Sequence, residues 1–308
     1  MLKNYGITAG KLSPSGPDQA LVLVFINPDE EEKRRLVGEF LIDEHTLASA
    51  LDPDEPSRLE LEAGSSAIIL KTPKNFMGQG QLLFKVASVG LFLLQGRLVV
   101  VVSEDIPLFS GKYFQSVRDI HDVLLKVIAG SIHHYLEHLR VINMISEEIE
   151  AKINVSMKNE YLLNLFSLEK SLVYYLSAIN SNGYVFEKLK NNSSKIGFSP
   201  EAIELLDDIV IENSQCYRQA EIHSNILASL MDARVSIVSN NLNMLMKELN
   251  AFVVAVMVPS FFAGVGGMSE WSMMTKGTDW RLSYGLFLTA MVGLGVGTYF
   301  MVRRLERR

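Results

Sequence analysis

Ten residues of this chain fall on two interleaved series of step seven: Asp232, Ser239, Met246, Val253 and Ser260 in one, Ser236, Asn243, Asn250, Met257 and Gly264 in the other. Merged, they form a single seam at 3.5-residue spacing, the repeat at which a helix keeps one face toward a partner. An ordinary coiled coil would place Leu, Ile or Val there. Here most of the seam is Asp, Ser or Asn, while the apolar Val235, Val238, Leu242, Leu245, Leu249, Phe252 and Val256 flank it. Side-chain oxygens repeated along one face can receive a cation or its water shell, and Met246, Val253 and Met257 can form constrictions that close a pore by dewetting. One helix cannot enclose a conduit, so that chemistry requires a ring of copies. Two plainer readings stay open: a solvated face over Asp232–Asn243, and a polar helix–helix contact without a pore beyond it.

A second arrangement with possible chemistry is His134 and His138, spaced i,i+4 on a predicted helix beside His133. That spacing can chelate a transition metal. No third ligand is evident, and plain helix-surface histidines are the alternative.

The elements that position the seam follow from charge. Residues 249–269 and 282–302 are two runs of 21 without a single charged side chain. At 1.5 Å per residue each gives about 31 Å of helix, the thickness of a hydrocarbon core. Both are expected to be transmembrane helices, and a buried helical hairpin is the weaker alternative. Lys247, Arg303, Arg304, Arg307 and Arg308 lie beyond one end of the pair, and only Lys276 and Arg281 lie in the connecting loop. The bias of positive charge puts both termini in the cytoplasm of an inner or plasma membrane. No charged segment followed by an apolar run opens the chain, so no signal peptide is expected.

Upstream, apolar runs at Ala20–Ile26, Ala67–Leu70, Leu82–Leu94 and Leu98–Val102 read as strands, and Glu30–Phe40 and His45–Leu51 as helices. From about Ser116 the pattern changes to long helices, over Ser116–Ser156 and Asn159–Lys190. Ser199-Pro200-Glu201 is then a start signal with an N-cap serine and proline at the first helical position. A helix from Pro200 to Met268 would pass from stalk into membrane without a break. The expected fold is an α+β membrane protein: an N-terminal α/β domain (1–115), a long-helix region with the stalk (116–248), a first span (249–269), a loop (270–281), a second span (282–302) and a basic tail (303–308).

The whole chain of 308 residues is 48% hydrophobic and 21% charged, with net charge −6 and one cysteine. Disorder is excluded by that apolar content, and a disulfide framework by the single thiol. The acidic balance argues against a nucleic-acid partner. Residues 303–308 carry four positive charges and one negative, so the body is more acidic than the total indicates. No Gly-rich phosphate loop and no nucleophile–base arrangement stands out, so an enzyme and a covalent cofactor are not expected.

Phe261-Phe262-Ala263-Gly264-Val265-Gly266-Gly267-Met268-Ser269 closes the first span of a C-terminal hairpin, after a long stalk and an α/β domain. This arrangement resembles the CorA superfamily of divalent-cation channels, whose signature at this place is Gly-Met-Asn. The turn Leu51-Asp52-Pro53-Asp54-Glu55 ahead of Ala67–Leu70 is similar to that family's N-terminal domain. The resemblance covers essentially the whole chain. It implies a funnel-shaped homopentamer with one axial pore through the bilayer, lined by the first span. Pore-facing places then fall on Asn243, Met246, Leu249, Met257, Gly264 and the triplet Gly267, Met268 and Ser269, with Asn250, Val253 and Ser260 added from the seam. Asp232 matches a stalk aspartate that faces the axis. Closure in the family is linked to cytoplasmic divalent ions, and Asp207, Asp208 and Glu212 are acids near the start of the stalk.

The departure lies at Ser269, where the family has asparagine. A ring of asparagine carbonyls can hold a hydrated cation through its water shell, which suits Mg²⁺ because that ion dehydrates reluctantly. A serine hydroxyl is shorter and a weaker dipole, so its ring would be wider. Glu270 follows directly and can concentrate cations at the mouth or stand as a solvated loop acid. Zn²⁺ is the alternative cargo, because the ZntB-like branch also departs from Gly-Met-Asn. A non-conducting, membrane-tethered scaffold or sensor with the same fold is a further alternative.

Overall fold

The computed structural model describes residues 1–62, 64–74, 82–109, 111–155, 159–267, 273–274, 276–277 and 279–306. They form two compact units, Met1–Met231 and Asp232–Arg308.

In the first unit a seven-stranded sheet comprises β1 (Leu2–Thr8), β2 (Lys11–Pro14), β3 (Val22–Ile26), β4 (Arg58–Glu62), β5 (Ser65–Pro73), β6 (Val86–Leu94) and β7 (Arg97–Val102), in the spatial order β2-β1-β3-β7-β6-β5-β4. Only β3 and β7 run parallel; every other pair is antiparallel. Side chains alternate faces along each strand. Leu23 and Phe25 of β3, with Val99 and Val101 of β7, meet α1 (Glu30–Gly38) and α2 (Glu44–Leu51) through Leu36, Leu47 and Ala50. Val22 and Val24, with Val100 and Leu91, meet the opposite layer. That layer is made of α3 (Ile120–Val155), α4 (Asn159–Asn191), the short α5 (Ser193–Ile196) and the first part of α6 (Pro200–Gly266). Burial on both faces explains why β3 and β7 read as unbroken apolar runs.

Local chemistry sets the ends of these elements. Asp29 caps α1 by accepting from Glu31 N (3.0 Å) and Glu32 N (2.8 Å), while Glu32 accepts in return from Asp29 N, a capping box. α2 lies so close to β6 that a Cβ on Gly90 would stand 2.6 Å from Ala50 Cβ; glycine is what permits the approach. The ladder of β4 on β5 stops at Arg58 opposite Ile69. Beyond it the buried Asn182 of α4 takes over, accepting from Lys71 N (2.9 Å) and donating to Lys71 O (2.7 Å). A side-chain amide thus completes a sheet edge where a strand ends.

The structure corrects the strand reading in two places. The run Leu82–Leu94 becomes a strand only from Val86. β1, β2 and β4 are strands that the apolar-run criterion does not reach. At 115/116 the chain passes from sheet to helix, and α3 and α4 then form one layer of the same core within Met1–Met231.

In the second unit α6 continues to Gly266 and α7 (Trp280–Glu306) follows. α6 has 67 residues in all, about 100 Å at 1.5 Å each. It starts where Ser199 Oγ accepts from Ala202 N (3.2 Å). It ends where Gly267 N donates to Ala263 O (3.1 Å) and Gly264 O (3.3 Å). Both helices carry 18-residue windows of high mean hydropathy, 1.9 and 1.7, of which only 11% and 0% is buried. A core helix of a soluble protein would be mostly covered, so an apolar medium or further copies must cover these.

Candidate site on the long helix

All ten seam residues, Asp232, Ser236, Ser239, Asn243, Met246, Asn250, Val253, Met257, Ser260 and Gly264, are exposed on α6 within the chain, and so is Leu249 beside them. Their common face follows from helical geometry at 100° per residue. α7 covers a different face. Gly295 of α7 approaches so closely that a Cβ there would lie 3.1 Å from Ala255 O and 3.3 Å from Pro259 Cγ. Gly266 faces Phe287 in the same way, at 2.9 Å. Ala251, Ala255, Pro259 and Gly266 form this covered side, and by the same 100° steps the seam lies on the opposite one. The α6–α7 contact therefore does not use up the polar residues.

Hydroxyls on both helices tie back to their own backbone, whereas the seam amides do not. On α7, Thr289 Oγ1 donates to Gly285 O and Thr298 Oγ1 to Leu294 O, each at 2.8 Å, so both threonine hydroxyls are satisfied within the helix. On the seam, Ser260 Oγ donates to Val256 O at 2.7 Å in the same way. Asn243 and Asn250 spend neither amide oxygen nor nitrogen on a partner among the described residues. Copies arranged about an axis would turn these groups into rings of oxygen donors separated by Met246, Val253 and Met257. Met268, Ser269 and Glu270 lie outside the described residues; Gly267 is the turn that closes α6.

The histidines belong to the first unit. His138 is 8% exposed, with Nδ1 2.6 Å from Tyr175 Oη and its ring stacked at 6.1 Å on that of Tyr175. Burial, and then the neighbouring His134, push its pKa down to about 4. Burial likewise keeps the Tyr175 phenol protonated, so the hydroxyl donates and Nδ1 accepts. His134 stands edge-on at 4.3 Å. Among the described residues no group of three His, Cys, Asp or Glu gathers into a metal centre. The i,i+4 spacing is real, yet one member is already engaged by a tyrosine from another helix. Of the stalk acids, Asp207 pairs with Lys190 at 2.8 Å.

Sequence reasoning missed the partner of the acidic turn. Lys71 is 4% exposed, and its ammonium donates to Pro53 O (2.8 Å), Asp52 O (3.1 Å) and Ser88 Oγ (2.7 Å). Burial lowers its pKa to about 8. A lysine inside an apolar strand was the signal available.

The family described as CorA-like Mg²⁺ transporter protein matches residues 19–304. A cobalt/magnesium transport protein, CorA of Methanocaldococcus jannaschii, is 25% identical over 256 residues, spanning 79% of this chain and 78% of that protein. The complete structure of the CorA magnesium transporter from that organism aligns with TM-score 0.73 at 20% identity, over 100% of this chain and 98% of that one. The ZntB cytoplasmic domain from Vibrio parahaemolyticus aligns with TM-score 0.61 at 11% identity, over 77% of this chain and 98% of that domain.

Proposed function

The chain belongs to the CorA-like Mg²⁺ transporter family, whose members are membrane proteins that move divalent cations, and from that premise we propose that it is a homopentameric channel passing Mg²⁺ passively through an axial pore lined by α6. The observation that carries this reading is the polar seam on the side of α6 that α7 leaves uncovered. Asn243 and Asn250 receive the hydrated ion, Met246, Val253 and Met257 gate it, and Gly264 to Ser269 form the outer mouth, with Glu270 concentrating cations there and Asp232 facing the axis on the stalk side. Both termini lie in the cytoplasm. A negative-inside potential supplies about 4.6 kcal/mol per 100 mV for a divalent ion, twice the single-charge value, so no nucleotide machinery is required.

Ser269 favours keeping two other readings in play: Zn²⁺ as cargo, and a non-conducting scaffold. Flux into sealed proteoliposomes under an imposed potential, comparing Mg²⁺ with Zn²⁺, decides among them. Uptake that Met257→Trp abolishes supports the pore and identifies its ion. Ser269→Asn then shifts ion preference in a channel and leaves a scaffold silent. Absence of uptake of either ion by a folded oligomer overturns the channel.

A further inference from the structure

Gly130 stands in the interior of the 36-residue helix α3, where glycine is destabilising relative to alanine. Packing does not demand it, since a Cβ there would meet nothing within 4 Å. Its neighbour Ser131 has a buried hydroxyl with no hydrogen-bond partner among the described residues. A buried unpaired hydroxyl is also costly and calls for an explanation. These two unfavourable choices are adjacent, and both line one cavity of about 280 Å³ in the first unit.

The cavity has two kinds of wall. Leu70 of β5, Val89 of β6 and Val127 of α3 give it an apolar floor. Around the rim stand Lys112, Tyr113, His133, His134 and Glu137. Glu137, the one acid, is occupied by His133, with Oε1 3.4 Å from Nε2. Lys112 Nζ sits 5.3 Å from the centre of the Tyr113 ring. The lining thus offers one ammonium and two hydroxyls over an apolar base, a small-molecule site with a few placed polar groups.

We propose that this cavity binds a small organic carboxylate, its apolar body on the sheet and its head group held by Lys112 and the hydroxyls of Ser131 and Tyr113. One turn along α3 from Ser131 stands the buried Tyr135, whose ring lies 4.9 Å from that of Tyr175, in the core that α6 joins through Cys216. Occupancy would therefore be felt one helix away from α6. The proposal is independent of which ion is carried, because its test reads binding and not flux.

The probe is 4-fluorobenzoate, followed by ¹⁹F NMR on the detergent-solubilised full chain, with 4-fluorobenzyl alcohol as the uncharged control. The acid should bind saturably and the alcohol at least about tenfold more weakly. Gly130→Leu, which places a side chain in the cavity, should abolish binding, whereas Gly130→Ala should raise the melting temperature and keep it. If Gly130→Leu does not fold, the exposed Lys112→Met decides the matter by weakening the acid about fivefold or more. No saturable binding by the wild type, equal binding of the alcohol, or full binding by folded Gly130→Leu or by Lys112→Met would each overturn the proposal.

Discussion

The two compact units handle apolar residues in opposite ways. In Met1–Met231 the valines and leucines of β3, β6 and β7 are sealed between two helical layers, and Val22, Leu91, Leu98 and Val100 are 0% exposed. In Asp232–Arg308 side chains of the same type stay outside: Leu249 is 55% exposed, Met257 67% and Leu286 69%. One unit completes its core from its own sequence. The other leaves its apolar side chains uncovered within the chain, to be covered by an apolar medium or, on the proposed reading, by further copies of itself. Similar composition therefore says little about where a segment's partners are; the period of the pattern and the length of uncharged run say more.

The contrast predicts that substitutions in the second unit act on flux and those in the first on stability. The largest expected effect is on transport: Asn243→Trp or Met257→Trp should cut uptake at least about tenfold by filling the axis, while Leu286→Trp on α7 changes it less than about twofold. Cysteines at 246, 253 and 257 should react with pore-permeant thiol reagents, and those along 282–302 should not. The native thiol does not interfere, since Cys216 is buried and pushed up to about 12. Reaction on α7 alone would reverse the assignment of the two helices.

Next comes the core. Leu91→Ala should cost about 2–5 kcal/mol in denaturant unfolding of the full chain, by loss of burial and opening of a cavity. A loss under about 1 kcal/mol would mean that the sheet is less tightly packed than its burial implies.

A pH effect of similar size should come from His138. Its folded pKa, about 4, lies below the ordinary 6.5. As pH falls through 6.5 the unfolded chain takes up a proton that the folded chain refuses until about 4. Stability is therefore full above that window and declines across it, by ~3 kcal/mol in total. Tyr175, Phe84 and His134 surround the ring, and thermal melts between pH 7 and 4 should flatten in His138→Gln. An unchanged slope would place the titration elsewhere.

The smallest effect belongs to the sheet edge. Asn182→Ala leaves the Lys71 amide and carbonyl unpaired and should cost about 1–3 kcal/mol. Hydrogen exchange at Lys71 should accelerate with it; if exchange stays slow, another group covers that edge.

How much of this was legible depended on whether the signal was local. The strands β3 and β7 are apolar on both faces and are visible as runs. β4, Arg58-Leu59-Glu60-Leu61-Glu62, alternates over only five residues at an edge, and β1 includes Lys3, Asn4 and Gly6, so neither makes a run. The seam was readable because its residues share one helix and one period. The cavity was not, because its walls come from β5, β6, a loop and α3, which are adjacent only in the folded chain. His134 and His138 lay between these cases: their spacing was visible, but Tyr175, the neighbour that engages His138, comes from α4.

Pro259 gives α6 a mechanical character that a uniform rod would lack. Having no N–H, it cannot tie back to Ala255, where Gly295 already allows α7 to lie against the helix. A beam deforms at its weakest section, and in the span this is it. Bending there swings Ser260 and Gly264 while Asn243 and Met246 stay in line with the stiff length below. In the proposed channel the outer mouth would then change its bore by flexure alone, without sliding one helix past another.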